Sequence, residues 1–181
     1  MVDTATARRP AVATTPWMQP LAAMSRLNFR GGAEAQHAAG GAFGATFSTA
    51  ACRAVRAGER AALWLGPDEQ LLLAPAGDAA ALQVGLAKAL SGIPHSLVDI
   101  SHRHGALELR GPHAAWLLNG LCPLDLAPRA FPIDMCTRTV FAKAEIVLWR
   151  KATAVFHLET GRSFTDYVVG LLQEIARELP E

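Results

Sequence analysis

The sequence predicts an α+β protein, a mixed or antiparallel sheet with helices, and three observations carry that reading. In Val98 to Gly120 (VDISHRHGALELRGPHAAWLLNG) two alternating segments meet at a turn and run through Gly-Pro into a helix. Two further stretches, Ala61 to Leu90 and Glu145 to Leu179, each pass from a tight hairpin into a helical pattern. Hairpin turns this short cannot make the parallel crossovers of a doubly wound sheet, which take about a dozen residues or more.

Taken in order, Ala33 to His37 after Gly31-Gly32 predicts a short helix that ends at Gly40-Gly41-Ala42-Phe43-Gly44. This glycine cluster lacks the strand, spacing and acidic partner of a dinucleotide fingerprint, so it reads as a flexible loop. Ala61 to Leu65 and Gln70 to Ala74 are β-rich runs around the turn tetrad Gly66-Pro67-Asp68-Glu69, hence a hairpin. Asp78 is placed to cap the next helix, because its carboxylate can accept from the first free amides. Leu82, Leu86 and Leu90 lie on one face of that helix.

In the central stretch, Val98 and Ile100 alternate with Asp99 and Ser101, and Ala106 to Leu109 alternates after Gly105. Pro112 has no amide for a ladder and a φ suited to a first helical turn, so Gly111-Pro112 ends the strand. Trp116, Leu117 and Leu118 give the helix an apolar face, with Asn119-Gly120 as its C-cap. Cys122 to Pro132 (CPLDLAPRAFP) carries three prolines and predicts a turn-rich connector, and Thr137 to Lys143 another strand.

Glu145 to Arg150 and Ala154 to Glu159 form a second hairpin around Lys151-Ala152-Thr153. Period two puts Val155, His157 and Glu159 on one side of its second strand and Phe156 and Leu158 on the other. Ser163 is the expected cap of a last helix in which Tyr167, Leu171, Ile175 and Leu179 repeat at four-residue spacing. Trp64 with Gly77 and Trp149 with Gly161 fall at nearly the same offset, which predicts an internal repeat of strand, strand, helix.

A chain of 181 residues, 51% apolar and 18% charged, can bury one substantial core or two small lobes, and its bulk is not disordered. Seventeen basic against sixteen acidic side chains leave a formal charge of +1, which gives no whole-molecule attraction to nucleic acid or an anionic membrane. No apolar stretch approaches the roughly 20 residues of a bilayer span. The start, MVDTATARRPAVATTPWMQPLAAM, has two arginines followed by Thr, Pro and Gln where a secretory core should be continuous. Residues 1–22 are therefore expected to be a flexible cytoplasmic tail, and 23–181 one α+β domain made of two related strand-strand-helix units. Cys52, Cys122 and Cys136, odd in number and widely spaced, read as buried reduced thiols and not as a disulfide framework or a metal knuckle.

No Walker loop, Gly-x-Ser-x-Gly elbow or His-Glu-x-x-His motif occurs. The candidate polar cluster is His95, Asp99, His102 and His104. His102 and His104, two apart on a strand, would share a face, but a metal needs a third converging ligand, and Asp99 joins them only across a bend. Solvated or interface histidines at a strand end are the favoured alternative. Asp125 in the LDL turn can accept from a pterin amide or hold the turn through its own following amides, and the turn reading is preferred. Arg138 and Arg162 can each clamp a carboxylate with a bidentate fork or serve a local ion pair or carbonyl contact. No catalytic residue, cofactor site or metal site is assigned.

VDISHRHGALELRGPHAAWLLNGLCPLDL, followed by FP, by CTRTVFAKAEIVLWR and by ETGRSF, resembles the gamma subunit of heterotetrameric sarcosine oxidase. The lobe that runs from a strand into Gly-Pro-x-Ala, a helix and an LDL turn is similar to the folate-binding fold of the aminomethyltransferases. The resemblance implies a non-catalytic, assembly-supporting subunit of a bacterial complex that demethylates sarcosine to glycine oxidatively, passing the one-carbon unit to tetrahydrofolate and electrons to oxygen. It further implies alpha, beta and delta subunits as partners, with FAD, FMN, NAD and the folate site on the larger subunits, zinc on delta, and no cofactor on this chain. The other readings are a free-standing small folate-binding one-carbon-transfer protein and a generic interaction module.

Overall fold

Alternation of apolar and polar side chains along the strands decides the layering. The computed structural model describes residues 14–179. In chain order these form β1 (Met18–Pro20), β2 (Met24–Gly31), α1 (Ala33–Phe43), β3 (Ala54–Ala57), β4 (Arg60–Gly66), β5 (Glu69–Pro75) and α2 (Ala79–Ala89). There follow β6 (His95–Asp99), β7 (His104–Arg110), α3 (Ala114–Asn119), β8 (Cys136–Phe141), β9 (Ala144–Ala152), β10 (Val155–Gly161) and α4 (Thr165–Ala176). Two five-stranded sheets result, ordered β3-β4-β5-β2-β6 and β1-β7-β10-β9-β8, with antiparallel neighbours throughout.

In the first sheet Leu27, Phe29, Leu72 and Ala74 pack on Ala35, Phe43, Leu82 and Leu86 of α1 and α2. The opposite parity, Leu71 and Leu73, meets Val147 and Trp149 of the second sheet. That sheet turns Ile146, Leu148, Phe156 and Leu158 outward onto Leu117 and Leu118 of α3 and Val168 and Leu172 of α4. The layers are thus helix, sheet, sheet, helix, as an α+β reading with two-sided strands requires. Each fully buried Leu or Phe in them contributes about 1.5–3 kcal/mol.

The internal repeat is larger than the hairpin-helix unit legible in the sequence. Elements β1-β2-α1-β3-β4-β5-α2 and β6-β7-α3-β8-β9-β10-α4 run in the same order. The first strand of each unit is exchanged: β1 pairs with β7 (Met18 opposite Leu109) and β6 pairs with β2 (Asp99 opposite Leu27). Where β3 meets β8 the sheets join, with Arg53 bridging Met135 and the Cys136 amide donating to the Cys52 carbonyl at 2.9 Å.

Several expectations are corrected. Helix α1 does not stop at His37 but continues through Gly40-Gly41 to Phe43, because Ala39 and Phe43 are buried anchors beyond the expected end. A side chain at Gly40 would come within 2.8 Å of the Ala45 carbonyl, so glycine there permits a close approach, and the left-handed residue is Gly44, with φ of 86°. Asp78 precedes α2, but its carboxylate turns to Arg60 at 3.3 Å, and the Ala79 amide donates to Ser25 Oγ from β2 at 3.0 Å. Ser163 lies in a 3₁₀ turn, Arg162–Phe164, and makes no cap hydrogen bond; α4 buries Val168, Val169 and Leu172 and leaves Tyr167 exposed. Ordered structure begins ahead of residue 23: Met18 is fully buried in β1, while residues 1–13 of the expected tail lie outside the described residues. The cysteines are free thiols, but Cys52 is half-exposed.

Candidate functional site

Because Leu27 and Phe29 face the helices, Arg26 of β2 points between the sheets. Phe156 and Leu158 likewise leave His157 and Glu159 of β10 pointing inward. Arg26 Nε donates to Glu159 Oε2 at 2.6 Å, and His157 Nε2 lies 2.7 Å from Glu159 Oε1. The Glu159 side chain has no solvent exposure. Burial works to raise its pKa, but the hydrogen bond and charge of His157, with Arg26, outweigh burial and hold the carboxyl below its ordinary value. With both oxygens engaged, Glu159 ties the sheets together and is no free base.

His104, at the start of β7, brings Nδ1 to 3.8 Å from Glu159 Oε2, beyond hydrogen-bond range. Burial pulls its pKa down against the attraction of Glu159, which keeps the imidazole neutral near pH 7. Further pairs link the same layer. Glu69 accepts from Arg138 Nη2 and from Asn28 Nδ2, both at 2.8 Å, and the Arg138 bond is the main reason its carboxyl lies below the ordinary range. Arg56 binds Asp134 and the Lys151 carbonyl, and Glu108 sits between Arg110 and Lys151, whose Nζ is 2.9 Å away.

At one end of this layer the sheets part around a cleft of about 650 Å³. Leu65, Leu71, Val98, Ile100 and Phe164 give it apolar walls, and Arg103, Arg138 and Lys143 stand at its lining with His104 and Glu159.

The four candidate residues do not converge. His95 is exposed, with Nδ1 2.7 Å from the Ile93 carbonyl. Asp99 is exposed at the end of β6 and accepts from the Ser101 hydroxyl (2.5 Å) and amide (2.8 Å), bonds that lower its pKa. His102 lies exposed in the turn between β6 and β7, so it and His104 do not share one strand. Among the described residues no group of three or more His, Cys, Asp or Glu is placed to hold a metal ion. Asp125 is exposed and accepts from the Ala127 amide at 2.8 Å, the turn-holding arrangement. Arg138 serves Glu69 and Glu145, and the Arg162 amide donates to the Arg103 carbonyl at 2.8 Å.

Arg150 has no counterpart among the sequence candidates. It faces the helix layer of β9, buried, with Nη1 2.6 Å from the Phe131 carbonyl, Nη2 3.1 Å from that of Leu126, and its guanidinium 4.6 Å over the Phe156 ring. It clamps the proline-rich connector onto the sheet. The sequence signal for it was a charged residue in phase with Ile146 and Leu148.

A doubled four-layer body of this kind falls in the fold class of the aminomethyltransferases. It is similar to the glycine cleavage system aminomethyltransferase T from Bartonella henselae, with a TM-score of 0.67 at 16% identity over 88% of this chain and 46% of that one, a likeness of fold. The protein belongs to the sarcosine oxidase gamma subunit family, whose model matches residues 31–178. It is 39% identical over 118 residues to the sarcosine oxidase subunit gamma of Corynebacterium sp. (strain P-1), a match covering 65% of this chain and 57% of the relative. The chain therefore aligns with little more than half the length of that curated relative. It is also similar to a chain of the heterotetrameric sarcosine oxidase from Corynebacterium sp. U-96 in complex with pyrrole 2-carboxylate: TM-score 0.84, 31% identity, 91% of this chain and 86% of that one. Among the described residues no helix is long and apolar enough to cross a membrane.

Proposed function

We propose that this chain is the non-catalytic, assembly-supporting gamma subunit of a cytoplasmic heterotetrameric sarcosine oxidase. Its complex demethylates sarcosine to glycine, with tetrahydrofolate taking the one-carbon unit and oxygen the electrons. Alpha, beta and delta subunits are the partners; FAD, FMN, NAD and folate belong to the larger ones and zinc to delta. The observation that carries this reading is the likeness, at a TM-score of 0.84 over 91% of the chain, to a chain of a heterotetrameric sarcosine oxidase. The interior agrees, since the carboxylate of Glu159 is spent on cross-sheet ties.

Coexpression of the alpha, beta and delta subunits with or without this chain tests it, read as sarcosine-dependent oxygen uptake per bound flavin. Omission should lower the yield of soluble flavin-loaded complex, because apolar surface on the partners is left facing water. His102→Ala with His104→Ala should leave turnover per flavin within about threefold, under roughly 1 kcal/mol of barrier. A loss of about a hundredfold in a fully assembled complex would move those histidines into the chemistry.

A further inference from the structure

We propose that the β6 edge and the cleft mouth beside it form the docking surface for an extended acidic segment of a partner polypeptide, which adds a strand to the first sheet. This rests on the assembly reading above and names the surface through which assembly occurs. The Ile100 amide donates inward to the Arg26 carbonyl at 2.9 Å, which fixes the phase of the β2–β6 ladder. Ser96 and Val98 share that inward phase, so the backbone amides and carbonyls of His95, Leu97 and Asp99 point away from the sheet.

The other edges are in part blunted or engaged. β1 has three residues and ends in Pro20, β3 and β8 are bridged at one end through Arg53 and Met135, and Arg138 of β8 is tied to Glu69 and Glu145. β6 runs for five residues with neither proline nor lysine, four of them exposed. Unprotected edges of this kind are templates for strand addition.

Beside the edge, Val98 and Phe164 line the cleft while 48% and 44% exposed, the second packed edge-on by Tyr167. Arg103, from the β6–β7 turn, and Lys143, from the β8–β9 turn, have no carboxylate partner among the described residues. Arg26 is matched by Glu159 and Arg138 by Glu69 and Glu145, while Asp99, at the last position of β6, keeps its charge and bonds Ser101, so the carboxylates of an added strand face Arg103 and Lys143 and not the Asp99 end. A strand laid along β6 would place alternate side chains over this mouth, apolar ones against Val98 and Phe164 and carboxylates toward Arg103 and Lys143.

The test is coexpression of the alpha, beta and delta subunits with wild-type chain or with Arg103→Glu plus Lys143→Glu, followed by hydrogen exchange on the wild-type complex and on the free chain. Both sites are exposed, so the melting curve of the isolated variant should match wild type. Expected results are about tenfold less variant in the flavin-loaded complex, and at least about tenfold slower exchange at the Leu97 and Asp99 amides on assembly, with Ser96 and Val98 little changed. Unchanged exchange at Leu97 and Asp99 would overturn strand addition. Normal incorporation of the charge-reversed variant would overturn the acidic character of the partner. Failure of the wild-type chain to join the flavin-bearing subunits would instead overturn the gamma-subunit reading itself.

Discussion

Glu159 is the residue on which the meeting of the two sheets turns. Replacing Arg26 by Ala leaves its carboxylate buried without the guanidinium that pairs with it, and the expected loss is about 3–5 kcal/mol in denaturant melts. Acid should act in two stages. His104 resists protonation in the fold, so the unfolded chain gains its proton first, and stability should start to fall as the pH drops below the ordinary value of 6.5. Glu159 is held ionised in the fold, so its contribution, full above the ordinary carboxyl value of 4.5, is lost as the pH falls further. Urea midpoints from pH 8 down to about pH 2 measure both limbs, and His104→Gln should remove the upper one. Burial pushes the Cys136 thiol up to about 12, so it should stay unmodified by thiol reagents under native conditions while half-exposed Cys52 reacts, as peptide mass mapping would show. The sequence already placed His157 and Glu159 on one side of their strand. It could not show Arg26 opposite them, because period two tells which face a side chain takes and is silent about what another sheet brings to that face.

The hairpins β4–β5 and β9–β10 and the strands β7 and β8 were legible because their alternation and turn residues are local, whereas β2 and β3 were not legible as strands. Caps were less so: the amide of Ala79 is satisfied by Ser25 from another element, and helix α1 outlasts its glycines because Phe43 anchors it from the core. The connector shows the same division. Its three prolines announce turns, but what fixes it is Arg150, reaching the carbonyls of Leu126 and Phe131. Arg150→Met keeps the apolar stem and removes the donors, so it should cost about 1–3 kcal/mol for each carbonyl left without one. Urea melts would read the loss, and faster amide exchange confined at first to residues 122–132 would locate it. Trp149, buried between the sheets beneath Arg56 at 4.8 Å, should cost about 3–5 kcal/mol on replacement by Ala, and half-exposed Trp64 distinctly less.

For the whole molecule, the repeat was visible from its later half alone. β1 is too short to carry a periodic signal, and β6 is legible only from its Val98 end, three residues late and running into the turn at Ser101, so neither stands out as the strand that opens a unit. Truncation through Pro20 should nonetheless destabilise the protein by about 2–5 kcal/mol, the range for losing a buried Met, read as a lower urea midpoint. The exchange of β1 and β6 also sets an order of events during translation. Met18 leaves the ribosome early, yet its partner Leu109 is still unmade when the whole first unit has emerged. The nascent first half can close β3-β4-β5-β2 against its helices, but β1 must wait with an apolar side chain uncovered until β7 arrives, a long-range closure of the kind that slows folding and invites early aggregation. A slow codon run or a chaperone footprint would therefore act on this chain most strongly in the window after α2 and before β7 is complete.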